Sequence, residues 1–283
     1  VRADLHVHTT ASDGRLEPKE IVSLAISVGL DIVAITDHDT IDGIVPALDA
    51  VPSTDSLTVI PGVEINTDVA CGEVHVLGYF IDYTDKKLIA ILHKLRDSRR
   101  ERAQKMVAKL GELGMKLDWQ RVSKLAQGGT IGRPHISQAL LEKGYVTSEK
   151  EAFDKYIGHN GPAYVERYKL LPVDVVKLIL EAQGLPVLAH PADIADLDDL
   201  MPKLKSAGLM GLEVYYRDYS PDIIGKLAKL AKQYDLIPTG GTDYHAFGDA
   251  SEIEIGGAVC PDGSVERLFA LASKRGLELL KQH

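Results

Sequence analysis

The stretch Ala3-Asp4-Leu5-His6-Val7-His8-Thr9-Thr10-Ala11-Ser12-Asp13-Gly14 decides how the rest of the chain is read. Side chains two apart on a strand share a face, so Asp4, His6 and His8 point the same way, at the spacing a metal site needs. A helix is predicted over 18–28 and a second strand over 31–36, which ends in Asp37-His38-Asp39. Strand, helix and strand in this order read as a βαβ unit and predict a parallel sheet.

The same rhythm extends outward. Strands are predicted over 57–65, 74–81, 185–189, 210–215 and 236–240, and helices over 172–182, 200–207, 223–234 and after Ser264. That makes seven strands. No strand signal interrupts 84–166. A long helical pattern there runs through Leu88, Leu92, Leu95, Met106 and Leu110, with Arg96, Arg99, Arg100, Arg102 and Lys105 on the other positions, which reads as a solvated basic face, with direct substrate binding as the lesser alternative. Shorter helices are predicted over 119–125, 135–143 and 148–156. The expected organisation is an α/β barrel made of residues 1–83 and 167–283, interrupted by a helical cap or insertion over 84–166.

Candidate ligands fall at the strand ends: His6 and His8, His38, Glu64, His190, and Asp243-Tyr244-His245, with His75 within the fourth strand and Glu213 within the sixth. Each piece alone has an ordinary explanation. A single His-x-His is incidental more often than not, Asp37-His38-Asp39 can cap a helix, and Glu64 or His190 can be a hydrogen-bonded polar group. Their joint recurrence is the signal, because a parallel barrel brings the C-terminal ends of its strands to one rim.

Composition narrows the function. The 283 residues carry a formal net charge of -9, which argues against broad nucleic-acid binding but not against a small anion held by local cations. Cys71 and Cys260 have no Cys-x-x-Cys spacing, so neither a disulfide nor a thiolate zinc site is expected and a reducing cytoplasm fits best. No apolar run reaches membrane-spanning length, so neither a membrane partner nor secretion is expected. Nothing indicates an obligate protein partner.

The stretch 3–14 together with Ile35-Thr36-Asp37-His38-Asp39, Gly62-Val63-Glu64-Ile65, Glu73-Val74-His75-Val76-Leu77-Gly78-Tyr79, Leu188-Ala189-His190-Pro191 and Gly241-Thr242-Asp243-Tyr244-His245 resembles the PHP (polymerase and histidinol phosphatase) family of metal-dependent phosphoesterases. Ile131-Gly132-Arg133-Pro134-His135 and Ala152-Phe153-Asp154-Lys155-Tyr156 look like the cap of one stand-alone branch, whose members act on nucleoside 3',5'-bisphosphates and, in some cases, short RNA 5' ends. The resemblance implies a distorted (β/α)7 barrel with a helical cap insertion and three divalent ions. His6, His8, Glu64 and Asp243 would hold the first, Glu64, His75 and His190 the second, and Asp13, His38 and His245 the third. Manganese is the leading candidate, with iron or zinc as alternatives.

On this reading the ions leave a surplus of about three positive charges over their carboxylates. A metal-bridging hydroxide, available because bound water can titrate near about 7, attacks phosphorus. Asp37 and Asp39, with Asp4, would orient ligands or waters. Arg133 and His135, read as part of a glycine-rich loop, would bind phosphate, and His135 would protonate the leaving oxygen. The alternatives are a local salt bridge for Arg133 and a helix cap for His135. Lys169 and Arg217 are further phosphate candidates, Thr9 and Ser12 donate to phosphate or shape the turn, and Glu213 is either functional or a polar closure of the rim.

The function expected first is removal of the 3' phosphate from a nucleoside 3',5'-bisphosphate. Next come a 5'-3' exonuclease on short RNA and a histidinol phosphate phosphatase with the same ions. A noncatalytic metal-stabilised module, from a different class, would show missing ligands, and none is missing.

Overall fold

A computed structural model of the chain describes residues 1–276 except 55–56, 70–71, 127–128, 167, 169, 218, 249–251 and 259. Seven strands form one sheet in sequence order: β1 (Ala3–Val7), β2 (Ile32–Ile35), β3 (Thr58–Val69), β4 (Gly72–Tyr79), β5 (Leu185–Leu188), β6 (Gly211–Tyr216) and β7 (Ile237–Gly241). The sheet curls until its first and last strands nearly meet. Tyr244, just past β7, donates its N–H to the His6 carbonyl and accepts from the His8 N–H. Gly241 allows this approach, since a methyl group there would lie 2.4 Å from His6 Cβ.

Every residue of β1 is buried. Its apolar side chains explain the strand: Ala3 and Leu5 pack with Ile32, Ile60, Val187 and Ile237, and Val7, beyond a register shift, packs with Ile21, Val22 and Ala25. Helix α1 (Pro18–Ser27) supplies these last three and starts with Pro18, whose missing N–H costs nothing in a first turn. Helices α7 (Pro172–Glu181), α8 (Leu197–Ala207), α9 (Pro221–Gln233) and α10 (Asp262–Lys274) close around the sheet. The seven-residue α2 (Ile44–Ala50) was not expected; it buries only Ile44 and Ala47 and contains Pro46, so it has too little periodicity to read.

The fully parallel sheet is corrected at β4, which runs antiparallel to both β3 and β5. The β3–β4 connection is too short for a parallel crossover, which takes a dozen residues or more. Strand β3 is also longer than expected, because Asn66 and Thr67 extend it as a polar hairpin arm, while β4 keeps its expected length and starts two residues earlier. Glu64 consequently lies within β3 rather than at its end, and His75 reaches the same rim from the N-terminal half of β4.

Between β4 and α7 the described regular elements are helices: α3 (Lys86–Glu112), α4 (Trp119–Leu125), α5 (Arg133–Glu142), α6 (Glu149–Ala152) and a π-helical turn Phe153–Ile157 in place of the last turns of the helix expected to reach 156. Asp85 caps α3 by accepting from the Leu88 N–H, and Asp118 caps α4 by accepting from Gln120. Met106, Leu110, Val122, Ile136, Leu140 and Ile157 form a separate apolar cluster. Leu88, Leu92 and Leu95, earlier on the same α3, pack into the barrel core instead. The helical layer is latched to the barrel at a second place: Thr130 donates its N–H to the Ala11 carbonyl, and Gly129 lies so close to the Thr10 carbonyl that a methyl group would sit 2.3 Å from it.

Candidate metal centre

Glu64 stands at the middle of the rim, fully buried. Its Oε2 lies 3.3 Å from His6 Nε2, 3.2 Å from His8 Nε2 and 2.9 Å from His38 Nδ1, while Oε1 lies 2.9 Å from His75 Nδ1 and 3.2 Å from His190 Nε2. Five imidazoles, His6 and His75 within strands and His8, His38 and His190 just past β1, β2 and β5, converge on one carboxylate. Asp243 Oδ1 adds to the first side, 3.4 Å from His6 Nε2 and 3.0 Å from His8 Nε2. Beyond His8, Asp13 Oδ1 lies 3.4 Å from His245 Nε2, and Asp13 Oδ2 lies 3.9 Å from His38 Nε2.

Three groups of ligand atoms result: His6, His8, Glu64 and Asp243; His38, Glu64 and His75; and His8, Asp13, His38 and His245. The first is the set the family resemblance implies. In the others, His8 faces both the first and third groups, and His38 lies between the second and third. His190 joins the second through Glu64 and through His75 Nδ1 at 3.1 Å.

The residues fit cations on a direct physical ground. His6 Nε2, both ring nitrogens of His8, His38 Nδ1, Asp13 Oδ1 and Glu64 Oε2 are buried without a hydrogen-bond partner among the described residues. Burying so many polar atoms unsatisfied is costly. Nitrogens and oxygens at ion-pair distance that do not aim hydrogens at each other present lone pairs to common points, which is the geometry of a ligand shell. The imidazole and carboxylate set suits transition-metal dications.

A surrounding layer fixes His6, His75, His190, His245 and Asp243. His6 Nδ1 meets Glu213 Oε1 at 3.0 Å, which leaves Nε2 for the centre, and Glu213 Oε2 accepts from the His190 N–H at 2.7 Å. His245 Nδ1 donates to the Asp243 carbonyl at 2.8 Å, so its Nε2 faces Asp13. Asn66 Nδ2 holds His75 Nε2 at 2.8 Å and turns Nδ1 inward. Tyr216 Oη and Arg217 Nη2 both donate to Asp243 Oδ2 at 2.8 Å, leaving Oδ1 to the centre. Burial and the Asp243 charge push the Tyr216 phenol far up, so it remains a donor. Asp39, His190 and Asp243 have φ values of 52°, 26° and 51°, left-handed conformations that cluster where a site over-determines its backbone.

Several expected roles change. Asp4 accepts from Thr242 Oγ1 at 2.6 Å, from the Thr242 N–H at 3.0 Å and from the Gly256 N–H at 2.8 Å, tying β1 to the segments after β7. Asp37 accepts from the Thr9 N–H, Thr9 Oγ1 and Ser12 Oγ at 2.6–2.8 Å, so it builds the turn that carries Asp13, and Thr9 and Ser12 shape that turn. Asp39 pairs with Arg99 of α3 and accepts from the Asn66 N–H. Neither Asp37 nor Asp39 belongs to a ligand group. Arg217, expected to hold phosphate, is engaged with Asp243 and with the Thr242 carbonyl. Arg133 and His135 lie in the first turn of α5 rather than in a loop; Arg133 pairs with Glu73 of β4 at 2.6 Å, and His135 Nδ1 accepts from the Gly132 N–H at 3.0 Å. Lys169 lies outside the described residues.

Sequence reasoning assigned Arg99 and Arg102 to a solvated face, yet both are buried on the inner side of α3. The signal was available: they occupy the stripe Leu92, Leu95, Arg99, Arg102, Met106, whereas Arg100 and Lys105 are exposed. Arg99, Arg102 and Arg133, with Phe153, roof a cleft of about 120 Å³ whose floor is Asp13, His38 and His75. A second groove, of about 440 Å³, runs on the other side of Asp13 between Arg15, Lys124, His135 and Phe247.

The charge balance makes the metal-free centre a proton acceptor. Burial opposes the His8 imidazolium, but Asp243 and Glu64 outweigh it and hold its pKa up to about 10. His6 is likewise held well above the ordinary value, against burial, by Glu213, Glu64 and Asp243. Glu64 and Asp13, which burial alone would raise, are drawn well below the usual carboxylate range by the histidines around them. The stability His8 lends the metal-free fold is therefore full below its ordinary value of 6.5 and is lost as pH rises toward about 10. The melting temperature of chelator-treated protein is expected to fall across that window, and saturating metal to abolish the fall while releasing protons. Thermal scans and a pH-indicator titration measure both; a flat or rising profile for the metal-free protein would count against this balance.

Comparison with known proteins agrees with the geometry. The PHP domain family matches residues 4–166. The 5'-3' exoribonuclease Rnm of Escherichia coli K12 is 32% identical over 273 residues, covering 95% of this chain and 92% of the relative. The 3',5'-nucleoside bisphosphate phosphatase of Chromobacterium violaceum is 31% identical over 251 residues, covering 87% and 88%. A crystal structure from Bifidobacterium adolescentis superposes with a TM-score of 0.88 at 29% identity, covering 98% of this chain and 97% of the other. Convergent histidines and carboxylates on the rim of a nearly closed seven-stranded barrel, and relatives that share most of its length, make this chain a member of the PHP domain family and a metal-dependent phosphoesterase.

Proposed function

We propose that the chain removes the 3' phosphate from nucleoside 3',5'-bisphosphates. The observation that supports this reading most is the small arginine-roofed cleft opening directly on His38, His75 and Asp13. A compact substrate with two phosphates matches it: one phosphate at the ligand rim, the other under the guanidinium groups. The 31% identity to a bisphosphate phosphatase lends further support.

Three ions, manganese first and iron or zinc otherwise, would be held by His6, His8, Glu64 and Asp243; by Glu64, His75 and His190; and by Asp13, His38 and His245. When bound they would supply hydroxide near neutral pH and positive charge against the phosphoryl and leaving oxygens. The chain's own residues do the rest. Glu213, Asn66, Tyr216 and Arg217 fix which atoms His6, His75 and Asp243 present, and the Asp37-held turn places Asp13. Burial holds the His135 imidazole below its ordinary pKa, and with Nδ1 accepting from Gly132 its Nε2–H is left as a neutral hydrogen-bond donor toward the second groove. Arg133 orients an anion from the roof while Glu73 fixes its guanidinium.

No helix among the described residues is long and apolar enough to cross a membrane; the compartment this reading implies is the cytoplasm, where nucleotides of this kind are soluble substrates. Cleavage of short RNA from its 5' end is the second reading. The groove beside Phe247 and Lys124 favours it, because that groove gives a longer polyanion somewhere to lie. Metal-loaded protein is expected to release phosphate from adenosine 3',5'-bisphosphate at least about tenfold more efficiently, by kcat/KM, than it releases nucleotides from a 5'-phosphorylated tetranucleotide. The reverse ranking, or histidinol phosphate as the best of the three, would replace the proposal.

A further inference from the structure

The roof of the cleft contains a guanidinium that the fold uses at one edge only. Arg99 is 9% exposed. Its Nε is bound by Asp39 Oδ2, yet its Nη2 is buried without a hydrogen-bond partner among the described residues. Leaving a buried charged donor unmade costs roughly 1–3 kcal/mol or more, and α3 accepts that cost in the middle of an otherwise apolar stripe. Facing it is Gly132. A methyl group there would sit 3.8 Å from Arg99 Nη1 and 3.9 Å from Asp13 Oδ2, so the missing side chain keeps the space between arginine and metal rim clear.

We propose that Arg99 is the residue that recognises a second, unhydrolysed phosphate on the substrate, held in the cleft between α3 and Gly132. The assignment rests on the phosphatase reading above. Asp39 holds one edge of the guanidinium and leaves the other edge to present two N–H groups to phosphate oxygens, the paired geometry arginine offers and lysine does not. Asp39 also accepts from the Asn66 N–H, and Asn66 holds His75, so the anion site and a metal ligand are positioned by one short chain of contacts. Arg102 and Arg133 line the same cleft and raise its positive potential.

Two variants test this. Arg99→Lys keeps a cation beside Asp39 but removes the fork; Gly132→Ala puts a methyl group on the opposite wall, 3.1 Å from Pro134 Cδ and in ordinary contact with Arg99 Nη1, and leaves the Arg99 Nε–Asp39 bond in place. In either, the ratio of kcat/KM for adenosine 3',5'-bisphosphate to that for p-nitrophenyl phosphate, which has no second anion, is expected to fall at least about 30-fold. Thermal shifts of metal-loaded protein provide the independent readout. The wild type is expected to be stabilised more by the bisphosphate than by adenosine 3'-phosphate, and the variants equally by both. A ratio within about threefold of wild type in the variants that fold overturns the assignment. If the wild type does not hydrolyse the bisphosphate, the proposed reaction fails and the thermal shifts decide Arg99 alone: a bisphosphate preference present in wild type and absent from the variants upholds it, and any other pattern overturns it.

Discussion

Glu64→Gln is expected to abolish the activity, lowering kcat/KM by at least about 10³-fold, equivalent to roughly 4 kcal/mol. The substitution hardly changes shape, so the effect comes from charge and donor chemistry. Glu64 places its two oxygens among His6, His8 and His38 on one side and His75 and His190 on the other. An amide removes one negative charge and turns one of those oxygens into a donor that no cation accepts. Two of the three ligand groups contain Glu64, so the loss should appear as a lower metal content by elemental analysis as well as in turnover. The purified variant keeping full metal content and more than about a tenth of wild-type activity would sink the bridging role.

Glu213→Gln should weaken metal binding or activity by about 10- to 100-fold, the usual consequence of disturbing a group that orients a ligand. Both orientations of the new amide conflict with what surrounds it. With its NH2 toward His6, the Nδ1 of that ring becomes an acceptor and the hydrogen moves to Nε2, the atom the centre requires bare. With its NH2 toward the His190 N–H, two donors meet in a fully buried position at a cost of roughly 1–3 kcal/mol. Metal titration and kcat/KM measure the result, and values within twofold of wild type for both would reduce Glu213 to a filler of the barrel.

Much of this site was legible because ligand chemistry and strand ends coincide in the chain. Period-two spacing puts His6 and His8 on one face, and barrel topology brings Asp243 and His245 to them from the far end of the sequence. What could not be read were pairings fixed only by three-dimensional proximity. Nothing local tells that Asp37 holds Thr9 and Ser12, or that Arg217 pairs with Asp243. The antiparallel β4 was within reach, since the few residues separating it from β3 permit only a hairpin. Arg99 and Arg102 were missed for another reason: arginine on an amphipathic helix is assigned to solvent by default, although their positions continue the leucine stripe. Here the residues that break the hydrophobic pattern are the ones that line the cleft.

Helix α3 contributes Leu88, Leu92 and Leu95 to the barrel core and Met106 and Leu110 to the cluster above it, with Arg99 and Arg102 between. A transplant of the cap from one relative to another, cut where the helical segment begins, would therefore carry off part of the recipient's own foundation. The workable seam for such a chimera lies inside the helix, between Leu95 and Arg99, and whichever parent supplies the arginines would set the substrate preference of the hybrid.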